Sequence, residues 1–112
     1  MELFIDTTQN NEIIVALKER DTIINEIRIT APKKQSELLL KSIEDIFAKT
    51  GSDIESIKKI RVENSGGSFT SLRIGVATAN ALGYALEIPV IGVKPNRGKI
   101  VKALYSRGPD IK

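Results

Sequence analysis

Two adjacent glycines, Gly66 and Gly67, stand between a strand-like run and a long apolar stretch. The segment Gly66-Gly67-Ser68-Phe69-Thr70-Ser71-Leu72-Arg73-Ile74-Gly75 follows Lys59-Ile60-Arg61-Val62-Glu63 and opens a helix predicted over about 69–86. Glycine allows the backbone conformations and close approach that a strand-to-helix corner needs. The first amides of the helix have no partner within it and face outward. Such a corner either holds an anion or packs a helix tightly against its sheet. Pro89 closes the helix, and Val90-Ile91-Gly92-Val93 reads as the next strand. Strand, helix, strand in this order is a parallel unit with a right-handed crossover.

The residues before the glycine corner follow a different pattern. Leu3-Phe4-Ile5 is a short buried strand that runs into a polar turn, Asp6-Thr7-Thr8. Glu12 to Lys18 is a second strand rich in β-branched residues. Ile23, Ile24, Ile27 and Ile29 make a third, with imperfect alternation. Short loops at Gln9-Asn10-Asn11 and Arg20-Asp21 predict an antiparallel meander. Ser36 is placed as the cap of a first helix that runs to about Thr50, with Gly51 as its stop signal. Ile57 to Glu63 is the fourth strand. The result is a mixed five-stranded sheet with two main helices, in the α/β class.

Both helices have more apolar surface than one core face requires. In the second, Leu72, Gly75, Val76, Ala79, Gly83 and Leu86 share one face, and Ile74, Ala77, Ala81 and Ala85 share the opposite one. A helix apolar on both sides is buried on both sides. One side packs on the sheet of this chain, and in so small a domain the other calls for a second polypeptide, unless the first helix alone covers it. The stripe Gly75, Ala79, Gly83 lets backbones approach closely, and the expectation is that a partner uses it. The interface is therefore placed at Ser36, Leu39, Leu40 and Ile43 on the first helix, with Leu72, Gly75, Val76, Ala79 and Gly83 on the second.

Composition narrows the chemistry. The 112 residues contain no histidine and no cysteine, which excludes disulfides, thiolate nucleophiles, zinc fingers and imidazole bases. Ser68 and Ser71 therefore lack an imidazole to activate them. There is no basic, apolar leader at the start, and a cytoplasmic setting is expected. Residues 74–93 are long enough to cross a bilayer, but Asn80, Glu87 and Pro89 interrupt them, and a buried helix followed by a buried strand is the better reading. The net charge of +3 is uneven: 13 acidic side chains outnumber 11 basic ones before residue 94. Residues 94–112 then carry six basic groups and one acidic group. That tail is either a solvated end or an arm that touches RNA through Lys94, Arg97, Lys99, Lys102 and Arg107.

These residues together resemble the TsaB (YeaZ) family. Asp6-Thr7-Thr8 is similar to its Asp-Thr-Ser turn, and Gln35-Ser36-Glu37 to its His-Ser-Glu. Asn64 to Gly75 is similar to its Gly-Pro-Gly-Ser-Phe-Thr-Gly-Leu-Arg-Ile-Gly segment, and Ile88 to Val93 to the strand that follows. The resemblance covers about residues 1–93, giving a TsaB-like lobe at 1–93 and a basic tail at 94–112. It departs from the family at Gln35, at Ser65-Gly66 and at Ser71, and the chain is far shorter than a two-lobe member. Ala103-Leu104-Tyr105-Ser106-Arg107 resembles the family's closing Pro-x-Tyr-x-Arg, which points to an internal deletion that kept the C-terminus.

The resemblance implies a single lobe of the actin-like ATPase (ribonuclease H-like) fold. It also implies a non-catalytic scaffold that supports the catalytic TsaD subunit through the two helices, within a complex that includes TsaE and modifies tRNA. TsaD-type metal chemistry uses a His-x-x-x-His pair, which this sequence cannot supply. The alternative is a nucleotide-binding, ATPase-like module. Asp6, Thr7 and Thr8 correspond to the first phosphate loop of the fold, and Gly66 and Gly67 lie at a second helix start. With one lobe, ATP or ADP is expected only at a site shared with partner subunits, and no cofactor is expected on the chain alone. A homodimer that hides the same helices is a further alternative.

Overall fold

The computed structural model describes residues 1–9, 11–31, 35–94 and Val101. Three strands come first: β1 (Glu2–Gln9), β2 (Glu12–Glu19) and β3 (Thr22–Thr30). Helix α1 (Gln35–Thr50), a single 3₁₀ turn (Ile54–Ser56) and β4 (Lys59–Val62) follow, then α2 (Phe69–Leu86) and β5 (Val90–Gly92). The sheet order is β3-β2-β1-β4-β5. The β1/β2 and β2/β3 pairs are antiparallel, whereas β1/β4 and β4/β5 are parallel. The predicted meander, crossover units and two helices are all present.

Alternation on the strands decides where the core lies. Leu3 and Ile5, Ile13, Val15 and Leu17, and Ile60 and Val62 point to one side of the sheet and are fully buried. Leu39, Ile43, Ile46 and Phe47 of α1 and Leu72, Val76 and Ala79 of α2 meet them in one cluster. Both helices therefore lie on the same face, α1 over β2 and β3, and α2 over β1 and β4. The other face carries Glu2, Phe4, Lys18, Lys59 and Arg61, where Glu2 accepts from Arg61 Nε at 3.1 Å.

The uneven pattern of β3 has a local cause. Leu17 pairs with Asn25 but Lys18 pairs with Ile23, so Ile24 is an extra residue in a bulge. Ile23 and Ile24 are consequently both exposed. Helix α1 starts at Gln35, which is buried, so Ser36 sits inside the first turn and is exposed rather than capping it. Gly51 ends the helix as expected, with its amide donating to Phe47 O at 2.9 Å.

Lys94 and Val101 are joined to the lobe. Asn64 Nδ2 donates to Lys94 O at 2.9 Å, and Lys94 N–H donates to Asn64 Oδ1 at 2.8 Å. Val101 packs in the core, and its carbonyl accepts from Asn80 Nδ2 at 2.8 Å. Among the described residues, no helix is long and apolar enough to cross a membrane.

Candidate functional site

The end of β1 and the start of α2 meet at the glycine corner. Asp6 is buried, and its carboxylate is committed to its own loop: Thr8 N–H donates to Oδ1 at 2.8 Å and Thr8 Oγ1 at 2.6 Å. Gln9 Nε2 donates to Oδ2 at 3.4 Å. This is an Asx turn, in which a short side chain satisfies the backbone two residues on. The next residue ties the loop to the helix, because the buried Thr7 hydroxyl donates to Ser71 O at 2.5 Å.

Gly67 shows why the corner needs glycine. Its φ is +70, and a Cβ there would lie 2.7 Å from Thr8 Cα. Ser68 caps α2, its hydroxyl accepting from Ser71 N–H at 3.1 Å. It also donates to Ser71 Oγ at 2.9 Å, and Ser71 Oγ donates to Gln35 Oε1 at 2.8 Å. A chain of hydroxyls thus links the start of α2 to the start of α1. Gln35 Nε2, at the end of that chain, is buried with no hydrogen-bond partner among the described residues.

Around this corner lies a cavity of about 300 Å³ lined by Thr7, Thr8, Asn11, Gly67, Ser68 and Ser71. Three of the residues placed in a phosphate site from sequence, Thr7, Thr8 and Gly67, therefore converge on one cavity. Asp6 and Gly66 do not line it. Ser68, Ser71 and Asn11 are additional members, and the serines carried a readable signal as the first turn of a helix after glycine. The cavity offers hydroxyls and helix-start amides, which suit an anion. Among the described residues, no group of three His, Cys, Asp or Glu could hold a metal ion.

The expected partner face needs correction. Leu39, Ile43, Leu72, Val76 and Ala79 are buried in the core of the chain itself. Gly75 and Gly83 are buried too: a Cβ at Gly75 would meet Thr7, and one at Gly83 would meet Val90. The small-residue stripe therefore receives the chain's own sheet, not a partner, because α2 must lie close to the ends of β1 and β5. Of the residues placed in that interface, Ser36 and Leu40 remain exposed. The outward face of α2 is the opposite one, with Ala77, Ala81, Tyr84 and Ala85 exposed and Ile74 half-buried. Ser36, Thr70, Arg73, Ile74, Ala77 and Thr78 line a groove of about 270 Å³ on this side. The Arg73 guanidinium lies 5.4 Å from the centroid of the Phe69 ring. Of the tail cations, Lys94 is exposed, and Arg97, Lys99, Lys102 and Arg107 lie outside the described residues.

The family model for TsaD, described as tRNA N6-adenosine threonylcarbamoyltransferase, matches residues 23–110. This chain belongs to that family. Its kinship with TsaB (YeaZ) members holds as well. The tRNA threonylcarbamoyladenosine biosynthesis protein TsaB of Bacillus subtilis (strain 168) is 32% identical over 91 residues, which are 81% of this chain and 39% of that protein. The TsaB of Escherichia coli (strain K12) is 32% identical over 62 residues, 55% of this chain and 27% of that protein. YeaZ from Pseudomonas aeruginosa superposes with a TM-score of 0.75 at 25% identity, covering 83% of this chain and 43% of that structure. The chain thus spans well under half the length of these TsaB and YeaZ relatives. The fold described above is one lobe of the family's actin-like α/β architecture.

Proposed function

We propose that this chain is a non-catalytic supporting subunit in tRNA threonylcarbamoyladenosine formation, docking a TsaD-type subunit with the outer faces of α1 and α2. The observation that carries this reading is the apolar outer face of α2, with Leu40 exposed on α1. After the inner faces are buried, Tyr84 is still 88% exposed and Leu40 53% exposed. Ala77, Ala81 and Ala85 extend the surface along α2. Exposed apolar side chains gathered on one side of a helix can mark an interaction site. Its partner is argued from kinship: TsaB relatives are named for biosynthesis of this modification, and the matched family is the transferase itself. The absence of histidine and cysteine supports a scaffold rather than a catalyst. A TsaE-type subunit and the tRNA, in the cytoplasm, would be met through that assembly, and a homodimer would use the same helix faces in isolation.

A second reading rests on the cavity at the glycine corner. Its hydroxyls and helix-start amides fit a phosphate group, so ATP or ADP would bind there at a site completed by a partner subunit. Asp6 would then hold the loop shape rather than touch the nucleotide.

The deciding experiment is co-purification with the cognate TsaD homologue, followed by a mass measurement of the assembly. Ala77→Arg with Ala81→Arg places two charges on exposed positions. These substitutions are expected to abolish the complex and leave the circular dichroism spectrum unchanged. A complex of unaltered affinity would refute the interface.

A further inference from the structure

The end of the sheet opposite the glycine corner has a separate hollow of about 270 Å³. Lys18 reaches it from the end of β2 and Arg20 from the β2–β3 turn, with Lys58 just before β4 and Lys59 at its start. The acids that share it are largely engaged. Glu2 accepts from Lys59 at 3.5 Å and from Arg61 at 3.1 Å, and Glu19 pairs with the Met1 amino group at 3.2 Å. Among the described residues, no carboxylate forms an ion pair with Lys18, Arg20 or Lys58. Lys18 lies instead 5.6 Å from the centroid of the Phe4 ring, on the face of the sheet away from the helices. Arg20 and Asp21 both have positive φ, 52 and 67, in a tight turn that sets Arg20 at the rim. Among the described residues, three cations without a carboxylate partner thus share the hollow with Asp21, its one acid outside any ion pair.

A docked protein would need an apolar centre. Among the described residues, Met1 is the one apolar member of this lining, and the hollow is small and polar. Those properties fit phosphate oxygens. We propose that this end of the sheet is a contact point for the phosphodiester backbone of RNA, held by Lys18, Arg20 and Lys58. Contacts of this type fix position and carry no sequence information. Glu2 at the hollow and Thr7 and Thr8 at the glycine corner lie five to six residues apart along β1, a span of about 17–20 Å at strand rise. The contact is therefore distinct from the cavity there, from the helix pair and from the cations of the tail. It stands or falls independently of TsaD docking.

The test uses the whole 112-residue chain with an unmodified tRNA transcript as the probe, binding being followed by fluorescence anisotropy between about 50 and 200 mM salt. The triple variant Lys18→Gln, Arg20→Gln, Lys58→Gln is expected to bind about tenfold or more weakly at low salt. Its log–log salt slope should be smaller by about 2 to 3, close to one unit for each phosphate that is no longer neutralised. A control with Lys41→Gln and Lys49→Gln removes charge from α1 and should leave the slope nearly unchanged. If the triple variant does not fold, Lys58→Gln alone, at an exposed position, should lower the slope by about 1. The proposal is overturned if the unaltered chain does not bind tRNA at low salt. It is likewise overturned if the variants keep its affinity and slope, or if the control weakens binding as much as the triple variant does.

Discussion

Replacing Gly75 with alanine adds one methyl group between α2 and the end of β1. In a solvent-exposed helix the change would stabilise by about 1 kcal/mol through helix propensity. Here the new Cβ would lie 2.5 Å from Thr7 Oγ1 and 3.3 Å from Thr7 Cγ2. Thr7 is 1% exposed, and its hydroxyl is held by Ser71 O, so it cannot turn into water. Either the helix lifts, at an overpacking cost of about 1–3 kcal/mol, or Thr7 rotates and leaves a buried hydroxyl unpaired at a similar cost. Both responses together would cost more than either alone. After the propensity gain of about 1 kcal/mol is subtracted, either response alone leaves a net loss of up to about 2 kcal/mol. With a urea m-value of about 1–3 kcal/mol/M for a chain of this size, the unfolding midpoint should fall by up to about 1 M. Thr7→Ala removes the obstructing atoms and leaves only Thr7 Cβ, 3.5 Å from the added group. The double variant Thr7→Ala, Gly75→Ala should therefore show a favourable coupling of about 1 kcal/mol or more. If Gly75→Ala exceeds the stability of the unaltered protein by the full propensity gain of about 1 kcal/mol, the inward orientation of this face of α2 is wrong.

Ser68→Ala removes both the cap of α2 and a hydroxyl from the cavity. It should lower stability by about 1 kcal/mol in urea denaturation, and a smaller loss would mean that water replaces the cap. Glu87 closes α2 with φ 57 and ψ 44, a left-handed conformation that costs a side-chain-bearing residue about 1–2 kcal/mol. Glu87→Gly should therefore raise the thermal midpoint by a few degrees; an unchanged or lower midpoint would show that the extra unfolded-state freedom of glycine outweighs the relief of strain.

The order of elements was legible because each carried its own signal. The β-branched run of β2, the glycines before α2 and Pro89 after it are local features, and local features survive transfer from sequence to structure. The imperfect alternation of Ile23, Ile24, Ile27 and Ile29 was readable as a strand, but not as a bulge, because register belongs to the pair β2/β3 and not to either strand. The Thr7, Thr8 and Gly67 side of the cavity was legible from motif position. Its tie to α1 through Ser71 and Gln35 was not, since 36 residues separate the two. The inward face of α2 was the clearest miss. Periodicity divides a helix into faces and does not rank them when both are apolar. The ranking came from Thr7 and Val90, which fit against glycines and would collide with the side chain of Ile74 or Ala85.

The position of β1 in the sheet has a kinetic consequence. It is the central strand, bonded to β2 across a short hairpin and to β4 through pairs such as Leu3 with Ile60. The hairpin closes a small loop, whereas the β4 pairing closes one of more than 50 residues at an entropic cost of about 3–4 kcal/mol. The meander is thus the part of the chain able to assemble early. Until β4 arrives, the β4 side of β1 is an open template, and its apolar residues have no helix above them. A chain halted between α1 and β4 would carry that unsatisfied edge into solution, where another copy could pair with it.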